Sequence, residues 1–327
     1  MTKIDLITGI LGTGKTTFLL RYAKSCLARG EKIAVLENDF GAVNIDMLLL
    51  QELKCDNCQL EMVSGCTDPF CHRRRFRTQL IALGMQHFDR IIVEPSGIFD
   101  MDEFFDLLYE SPLDRWYEIG SILTVTDAKI RPDMSAETEY LLASEAACCG
   151  KLILSKIGAE EPESTVRANA EQVRTRLNAA LEKIRCNRRF TETDLLVKNW
   201  DALTSSDFEA LSAAGYRNEN YVKQFRTEAL QSTVHYFMRF RIPDGKIGGM
   251  VREILQDPEC GEVQRIKGSF CAEDGTWYKL NSVNGNLEIA PVPEGQAVLI
   301  FIGEHLSLPA IDAHIRAYNT ADDYVCI

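Results

Sequence analysis

The sequence predicts an α/β protein: a mainly parallel sheet covered by helices, followed by a smaller α+β unit. Three observations lead there. Over the first two thirds of the chain short apolar runs alternate with helix-spaced patterns, which is how strands joined by crossover helices read. A glycine-rich stretch at 9–14 falls between the first apolar run and the first helical pattern. After a polar, weakly patterned stretch at 216–231 the order becomes strand, helix, three strands and a last helix, which suits a small domain with a mainly antiparallel sheet.

Residues 3–9 read as a strand and 9–14 as a loop. Residues 15–28 carry Phe18, Leu19, Tyr22, Ala23 and Leu27 at helical spacing, and Gly30 stops that helix. Strand-like runs follow at 32–36, 90–93, 121–125 and 151–154, with helical patterns at 101–108 and 135–148 between them. Residues 160–185 read as a long charged helix, and 204–213 as a short one with Thr or Ser available as its cap. The boundary is placed in the polar stretch, giving a first domain at 1–215, a linker at 216–232 and a second domain at 233–327. There, strands are expected at 235–241, 262–270, 277–290 and 297–302, and helices at 246–255 and 309–318.

The 327 residues carry 36 Lys and Arg against 48 Asp and Glu, a net charge of −12. Such a balance argues against free nucleic acid as a partner. No apolar run approaches the roughly 20 residues that span a bilayer, so no membrane partner is expected. The first residues pass directly into a strand-like run carrying an acid at Asp5, unlike a secretory signal. The expected location is the cytoplasm, whose reducing conditions argue against a disulfide framework for the 11 cysteines.

Residues Gly9-Ile-Leu-Gly12-Thr13-Gly14-Lys15-Thr16 fit G-x-x-x-x-G-K-[ST] between a strand and a helix, the context that a phosphate-binding loop requires. Glycines let backbone wrap closely round phosphates, and loop amides with the helix N-terminus supply partial positive charge. Gly12, Thr13, Gly14 and Thr17 belong to this binding segment. Lys15 is expected to neutralise the β and γ phosphates and Thr16 to coordinate Mg²⁺. Glu94 leaves an apolar strand in Val93-Glu94-Pro95-Ser96-Gly97, where an acid can hold a Mg²⁺-bound water and Gly97 can offer its amide to a γ-phosphate.

Together with Asn38-Asp39-Phe40-Gly41, a Gly65-Cys66 turn, and Arg265 to Gly268 in the second domain, these motifs resemble the CobW-like family of P-loop GTPases over nearly the whole chain. That resemblance implies a P-loop domain with a CobW C-terminal-like domain, GTP hydrolysis, and the delivery of metal ions or maturation of metal-dependent enzymes. It adds Asp39 to Thr16 and Glu94 as the Mg²⁺ environment. Asp39 stands where the family usually has Glu. The guanine-reading Asn-Lys-x-Asp appears as Ser155-Lys156-Ile157-Gly158; Lys156 can stack on a base, but the carboxylate is missing unless Glu160 or Glu161 substitutes. GTP is therefore expected over ATP with a reduced margin.

The family's Cys-x-Cys-Cys is replaced here by Gly65-Cys66-Thr-Asp-Pro-Phe-Cys71-His72, and Cys55-Asp-Asn-Cys58 lies upstream. Cys55, Cys58, Cys66 and Cys71 share a window where even spacing would put fewer than one cysteine. Four thiolates, with His72 as an alternate ligand, offer a soft tetrahedral site for Zn²⁺ or an iron–sulfur cluster. Reduced, partly buried thiols with no metal are the alternative. Cys26, Cys148, Cys149, Cys186, Cys260, Cys271 and Cys326 show no ligand arrangement and read as structural, His235, His305 and His314 read as ordinary surface or core residues, and the basic run His72 to Arg75 reads as a solvated helix face or a dock for an acidic partner or nucleotide.

Together these readings predict a Mg²⁺-dependent GTPase using Lys15, Thr16 and Glu94, with nucleotide state coupled to the cysteine site, slow intrinsic turnover, and a client metalloenzyme or corrinoid protein. A homodimer partner is a further candidate. The alternatives are a nucleotide-regulated docking protein with a permanent structural metal centre, using ATP or GTP and assisting a corrinoid enzyme, and a metabolic kinase.

Overall fold

The computed structural model describes residues 1–38, 50–63, 69–95, 101–130, 134–225, 233–243, 245–283 and 285–326. Two units, Met1–Leu230 and Gln231–Ile327, each have their own core.

The first unit runs β1 (Thr2–Thr8), α1 (Lys15–Ala28), β2 (Ile33–Asn38), β3 (Cys58–Val63), α2 (Pro69–Gly84), β4 (Arg90–Pro95), α3 (Met101–Leu108), α4 (Leu113–Trp116), β5 (Tyr117–Asp127), α5 (Ala136–Ala147), β6 (Lys151–Ser155), α6 (Glu163–Lys183), β7 (Leu195–Leu196) and α7 (Ser205–Ser212). Its seven strands lie in the order β3-β2-β4-β1-β5-β6-β7, and the pairs are parallel. Helices cover both faces. Ile33, Val35 and Ile92 pack towards α1 with Phe18, Leu19 and Tyr22, while Ala34, Leu36, Ile91 and Val93 pack into the cluster that includes Phe76 and Leu80 of α2. Two buried faces explain why these strands read as continuous apolar runs.

Helix ends follow local chemistry. Gly14 precedes α1 with φ 96, Ser135 caps α5 by accepting from the Thr138 N–H at 3.1 Å, and Thr204 with Asp207 forms a capping box on α7. The expected strands and helices of this unit are present. One addition is β3, whose Gln59 and Glu61 interrupt any apolar run at the sheet edge. Part of the expected linker is also structured against the first unit: Arg217 N–H donates to Cys148 O at 2.9 Å, Val222 N–H to Ile184 O at 2.8 Å, and Phe225 packs edge-on to Tyr140.

A buried ion pair ties β1 to β4. Arg90 Nη1 donates to Asp5 Oδ2, which also accepts from Tyr22 Oη at 2.6 Å, while Asp5 Oδ1 accepts from Ser121 N–H at 2.7 Å. Arg90 Nε reaches Glu31 at 2.8 Å. The carboxylate thereby fills the irregularity between β1 and β5, where a Cβ on Gly120 would come 2.2 Å from Asp5 Oδ1.

The second unit comprises β8 (Thr233–Met238), α8 (Ile247–Gln256), β9 (Glu262–Cys271), β10 (Trp277–Val283), β11 (Asn286–Val292), β12 (Val298–Glu304), α9 (Leu308–Tyr318) and β13 (Val325–Cys326). Its antiparallel sheet has the order β11-β10-β9-β12-β8-β13. Met250 and Ile254 of α8 and Ile311 and Ile315 of α9 pack on Phe237, Ile266, Leu299 and Phe301 of the sheet. The single strand expected at 277–290 is instead a hairpin. Val283 pairs with Asn286, the intervening sequence is Asn284-Gly285, and Gly285 has φ 83, the backbone freedom such a two-residue turn requires.

Candidate nucleotide and metal sites

The loop at 9–14 leaves β1 and enters α1 beside the ends of β4 and β5. Glycine is required at its first position: Gly9 has φ 138, and a Cβ there would stand 2.2 Å from Val125 O. Gly12 and Gly14 also have positive φ, 78 and 96. Thr13 is buried, and its hydroxyl donates to Ile10 O at 2.9 Å. Lys15 Nζ folds over the loop, donating to Gly9 O at 2.6 Å and Ile10 O at 3.4 Å. Thr16 Oγ1 donates to Glu94 Oε1 at 3.0 Å. Lys15, Thr16 and Glu94 are 7, 8 and 6% exposed, so loop and strand end bring a cation, a hydroxyl and a carboxylate together out of bulk water. Thr17 is exposed on the same turn.

Strand parity adds a residue that the sequence reading missed. Glu37 pairs in register with Glu94 across β2 and β4. Side chains two apart share a strand face, so Glu37 follows Ile33 and Val35 onto the α1 side, as Glu94 follows Ile92. Its signal was an acid ending an apolar strand. Next to it, the buried Asn38 has neither amide atom hydrogen-bonded among the described residues. Asp39 and Gly97 lie outside the described residues.

A second missed acid is Glu145 of α5, fully buried. Burial raises its carboxyl to about 8, with the Lys15 ammonium and the Gly9 N–H pulling it back. Thr8 and Thr124 hydroxyls meet at 2.8 Å, and Thr124 Oγ1 donates to Glu145 O at 3.1 Å.

Lys156 stands at the end of β6 with φ 58, its Nζ on Asp127 Oδ2 at 2.7 Å. Of the two acids considered as substitutes for the missing guanine-reading carboxylate, Glu161 accepts from the Gly158 N–H at 3.2 Å and pairs with Lys129 at 3.2 Å; Glu160 is exposed. Trp200 Nε1 donates to Leu154 O at 3.0 Å, and its ring edge would lie 3.2 Å from a Cβ on Gly14.

Of the expected metal centre, Cys55, Cys58 and Cys71 are among the described residues, and these three do not come together as a ligand group there. Cys55 and Cys58 close a tight turn, with Cys58 N–H donating to Cys55 O at 3.0 Å. Cys55 is exposed and Cys58 buried, and burial together with Cys55 pushes the Cys58 thiol up to about 12. Cys58 begins β3, whereas Cys71 sits in the first turn of α2, beyond the other end of that strand. Five steps of about 3.3 Å separate Cys58 from Val63, far more than the roughly 4 Å between thiolates on one zinc ion. Cys71 is disulfide-bonded, a departure from the expected set of free thiols. Cys66 lies outside the described residues. Arg73 of the basic run pairs with Glu110 at 2.9 Å, and Arg77, one turn further along α2, with the same Glu110 at 3.2 Å.

A parallel sheet with this loop between its first strand and helix, and with Lys15, Thr16 and Glu94 converging on it, defines a P-loop nucleotide-binding fold. The match to the CobW/HypB/UreG nucleotide-binding domain covers residues 3–185, more than half of the sequence. The chain belongs to that family. Similar proteins include the zinc chaperone YeiR of Escherichia coli, 29% identical over 168 residues that make up 50% of this chain and 49% of YeiR. The zinc chaperone YjiA of the same organism is 27% identical over 182 residues, 53% of each chain. Zinc-regulated GTPase metalloprotein activator 1 of Schizosaccharomyces pombe is 23% identical over 343 aligned residues, 89% of this chain and 77% of that protein. The chain thus matches about half the length of YeiR and YjiA. Among the described residues, no helix is long and apolar enough to cross a membrane.

Proposed function

We propose that this chain is a Mg²⁺-dependent GTP hydrolase whose nucleotide state governs the handling of zinc for a client metalloprotein. The observation that carries the reading is the buried convergence of Lys15, Thr16 and Glu94 at the loop. Lys15 rests on carbonyl oxygens that phosphate oxygens outcompete for an ammonium, so it turns from the loop to the β and γ phosphates. Amides from Gly12 to Thr17 cradle the same phosphates. The Thr16 hydroxyl and Glu94 carboxylate are oxygen donors 3.0 Å apart, the type that a hard cation takes; Asp39 joins them in this reading, and Gly97 offers its amide to the γ-phosphate. Thr16, Glu94 and Asp39 would hold Mg²⁺, which would supply positive charge against the phosphoryl group being transferred.

Lys156 packs its stem against the base, and GTP is preferred over ATP by a smaller margin than a full guanine motif gives. Among the described residues no side chain is assigned to orient an attacking water, and in this reading hydrolysis is slow until the client accelerates it. The names of the relatives support zinc as the cargo. In this reading Cys66 and reduced Cys71, with His72, hold it, and nucleotide state decides whether they keep or release it. A corrinoid protein is one client that fits a metal-enzyme maturation role.

Zinc titration of reduced full-length protein, with and without a non-hydrolysable GTP analogue, tests the coupling. The expected difference is about 1 to 3 kcal/mol. Equal zinc affinity in both states would favour a permanent structural centre. Lys15→Ala in the folded protein is expected to slow GTP hydrolysis at least about 100-fold; near-normal turnover would remove the loop from the mechanism, and competition between GTP and ATP decides the base.

A further inference from the structure

The second unit holds a donor cluster whose members are far apart in sequence. Asp257 and Cys260 stand at the two ends of the 3-10 turn Pro258–Cys260, whose first residue follows the capping Asp257. Residues three apart eclipse in such a turn, which puts the carboxylate and the thiol on one side. His314 faces them from the middle of α9. A carboxylate oxygen, Cys260 Sγ and an imidazole nitrogen lie within 4.8 Å of one another.

The cluster is held from several directions. Asp257 Oδ2 lies 2.8 Å from His314 Nε2, and Asp257 Oδ1 accepts from the Glu259 N–H at 2.9 Å. Ser307 N–H donates to Cys260 O at 3.2 Å. Gly261, with φ 84, approaches so closely that a Cβ would stand 2.3 Å from His305 O. The 3-10 turn and the entry to α9 are therefore one packed element, and Ile311 and Ile315 anchor the helix on either side of His314.

Capping the turn needs only Asp257, and orienting Asp257 needs only His314. A completely buried thiol beneath both adds a third donor that neither role requires. Carboxylate, thiolate and imidazole together suit a borderline-soft cation with tetrahedral preference. Bond lengths of about 2.0–2.3 Å place such ligands roughly 3.3–3.8 Å apart, within side-chain rotation of the arrangement seen. The His314 and Asp257 side chains are 26 and 28% exposed, so a water can supply the fourth position.

We propose that Asp257, Cys260 and His314 form a site for one zinc-class divalent cation, with three protein ligands and one open position, separate from the cysteines at 55–71. The site stands on the second unit alone and does not rest on the nucleotide reading.

The test uses reduced full-length protein carrying Cys55→Ser, Cys58→Ser, Cys66→Ser and Cys71→Ser, titrated with Co²⁺ while the thiolate-to-cobalt charge-transfer absorbance is recorded. One Co²⁺ per chain with that band is expected, displaced by Zn²⁺. Adding His314→Ala or Asp257→Asn, both at partly exposed side chains, is expected to weaken binding at least about tenfold without loss of the folded state, and Cys260→Ala to abolish the band. In the otherwise unaltered chain, His314→Ala is expected to lower bound Co²⁺ by one per chain. Absence of the band in the four-serine protein, or an equal band and affinity after His314→Ala, would overturn the site.

Discussion

Thr16 Oγ1 donates to Glu94 Oε1 across 3.0 Å, joining the first turn of α1 to the end of β4. Two residues 78 apart in sequence are thus set at the separation that a shared hard cation needs. Glu94→Gln keeps the size and removes the charge. It is expected to raise the Mg²⁺ concentration for half-maximal GTP hydrolysis by roughly tenfold or more, and a Mg²⁺ titration with unchanged midpoint would take Glu94 out of the metal environment.

Glu145 gives a pH signature. Its folded carboxyl is raised to about 8 from an ordinary 4.5, so between those values the folded chain binds a proton that the unfolded chain releases. Its contribution is greatest below about pH 4.5 and declines as pH rises to 8. Glu145→Gln is expected to flatten that slope and raise stability at pH 8 by more than about 1 kcal/mol, read from urea unfolding across the range. Withdrawal of Lys15 towards phosphates leaves Glu145 with less positive charge beside it. Nucleotide binding near pH 8 should therefore take up protons, a quantity measured by calorimetry in buffers of different ionisation enthalpy; parallel slopes for wild type and variant would disprove both expectations.

Asp5→Ala leaves the Arg90 guanidinium buried without its carboxylate and removes the acceptor for Tyr22 and Ser121. The expected loss is about 3–5 kcal/mol, well above an exposed ion pair. A loss under about 1 kcal/mol by urea denaturation would show the network to be dispensable.

Thiol reactivity separates the two cysteines of the turn that opens β3. In native reduced protein a water-soluble alkylating agent is expected to modify Cys55 quickly and Cys58 only after unfolding, because the first is exposed and the second buried with its thiol held protonated. Cys58→Ser should accordingly leave nucleotide-coupled zinc binding intact. Loss of that zinc in a folded Cys58→Ser protein would return both cysteine pairs to one centre.

Legibility in the sequence followed the range of the forces involved. The loop at 9–14 was readable because strand, glycines, lysine and helix adjoin in the chain. Central strands were readable because both faces are covered and apolar residues run together, as Ile91, Ile92 and Val93 do. β3 escaped because Gln59 and Glu61 occupy an edge strand, and the reversal between Val283 and Asn286 lies inside a stretch that otherwise reads as extended. Glu37 and Glu145 gain their surroundings from strand register and helix packing that no local pattern encodes. Asp257 and His314 meet across 57 residues of chain, through a packing of turn on helix.

The pair of strands that carries the loop and Glu94 has its fastening at the foot. Lys3 stands opposite Arg90 and Leu6 opposite Val93, and the Asp5–Arg90 bond fixes that phase. A slip of one residue would turn Glu94 to the opposite face, and a slip of two would carry it about 6.6 Å past Thr16. The buried charges therefore serve as a datum from which the spacing at the mouth is measured. Loops above that datum can lengthen or shorten without recalibrating the phosphate end.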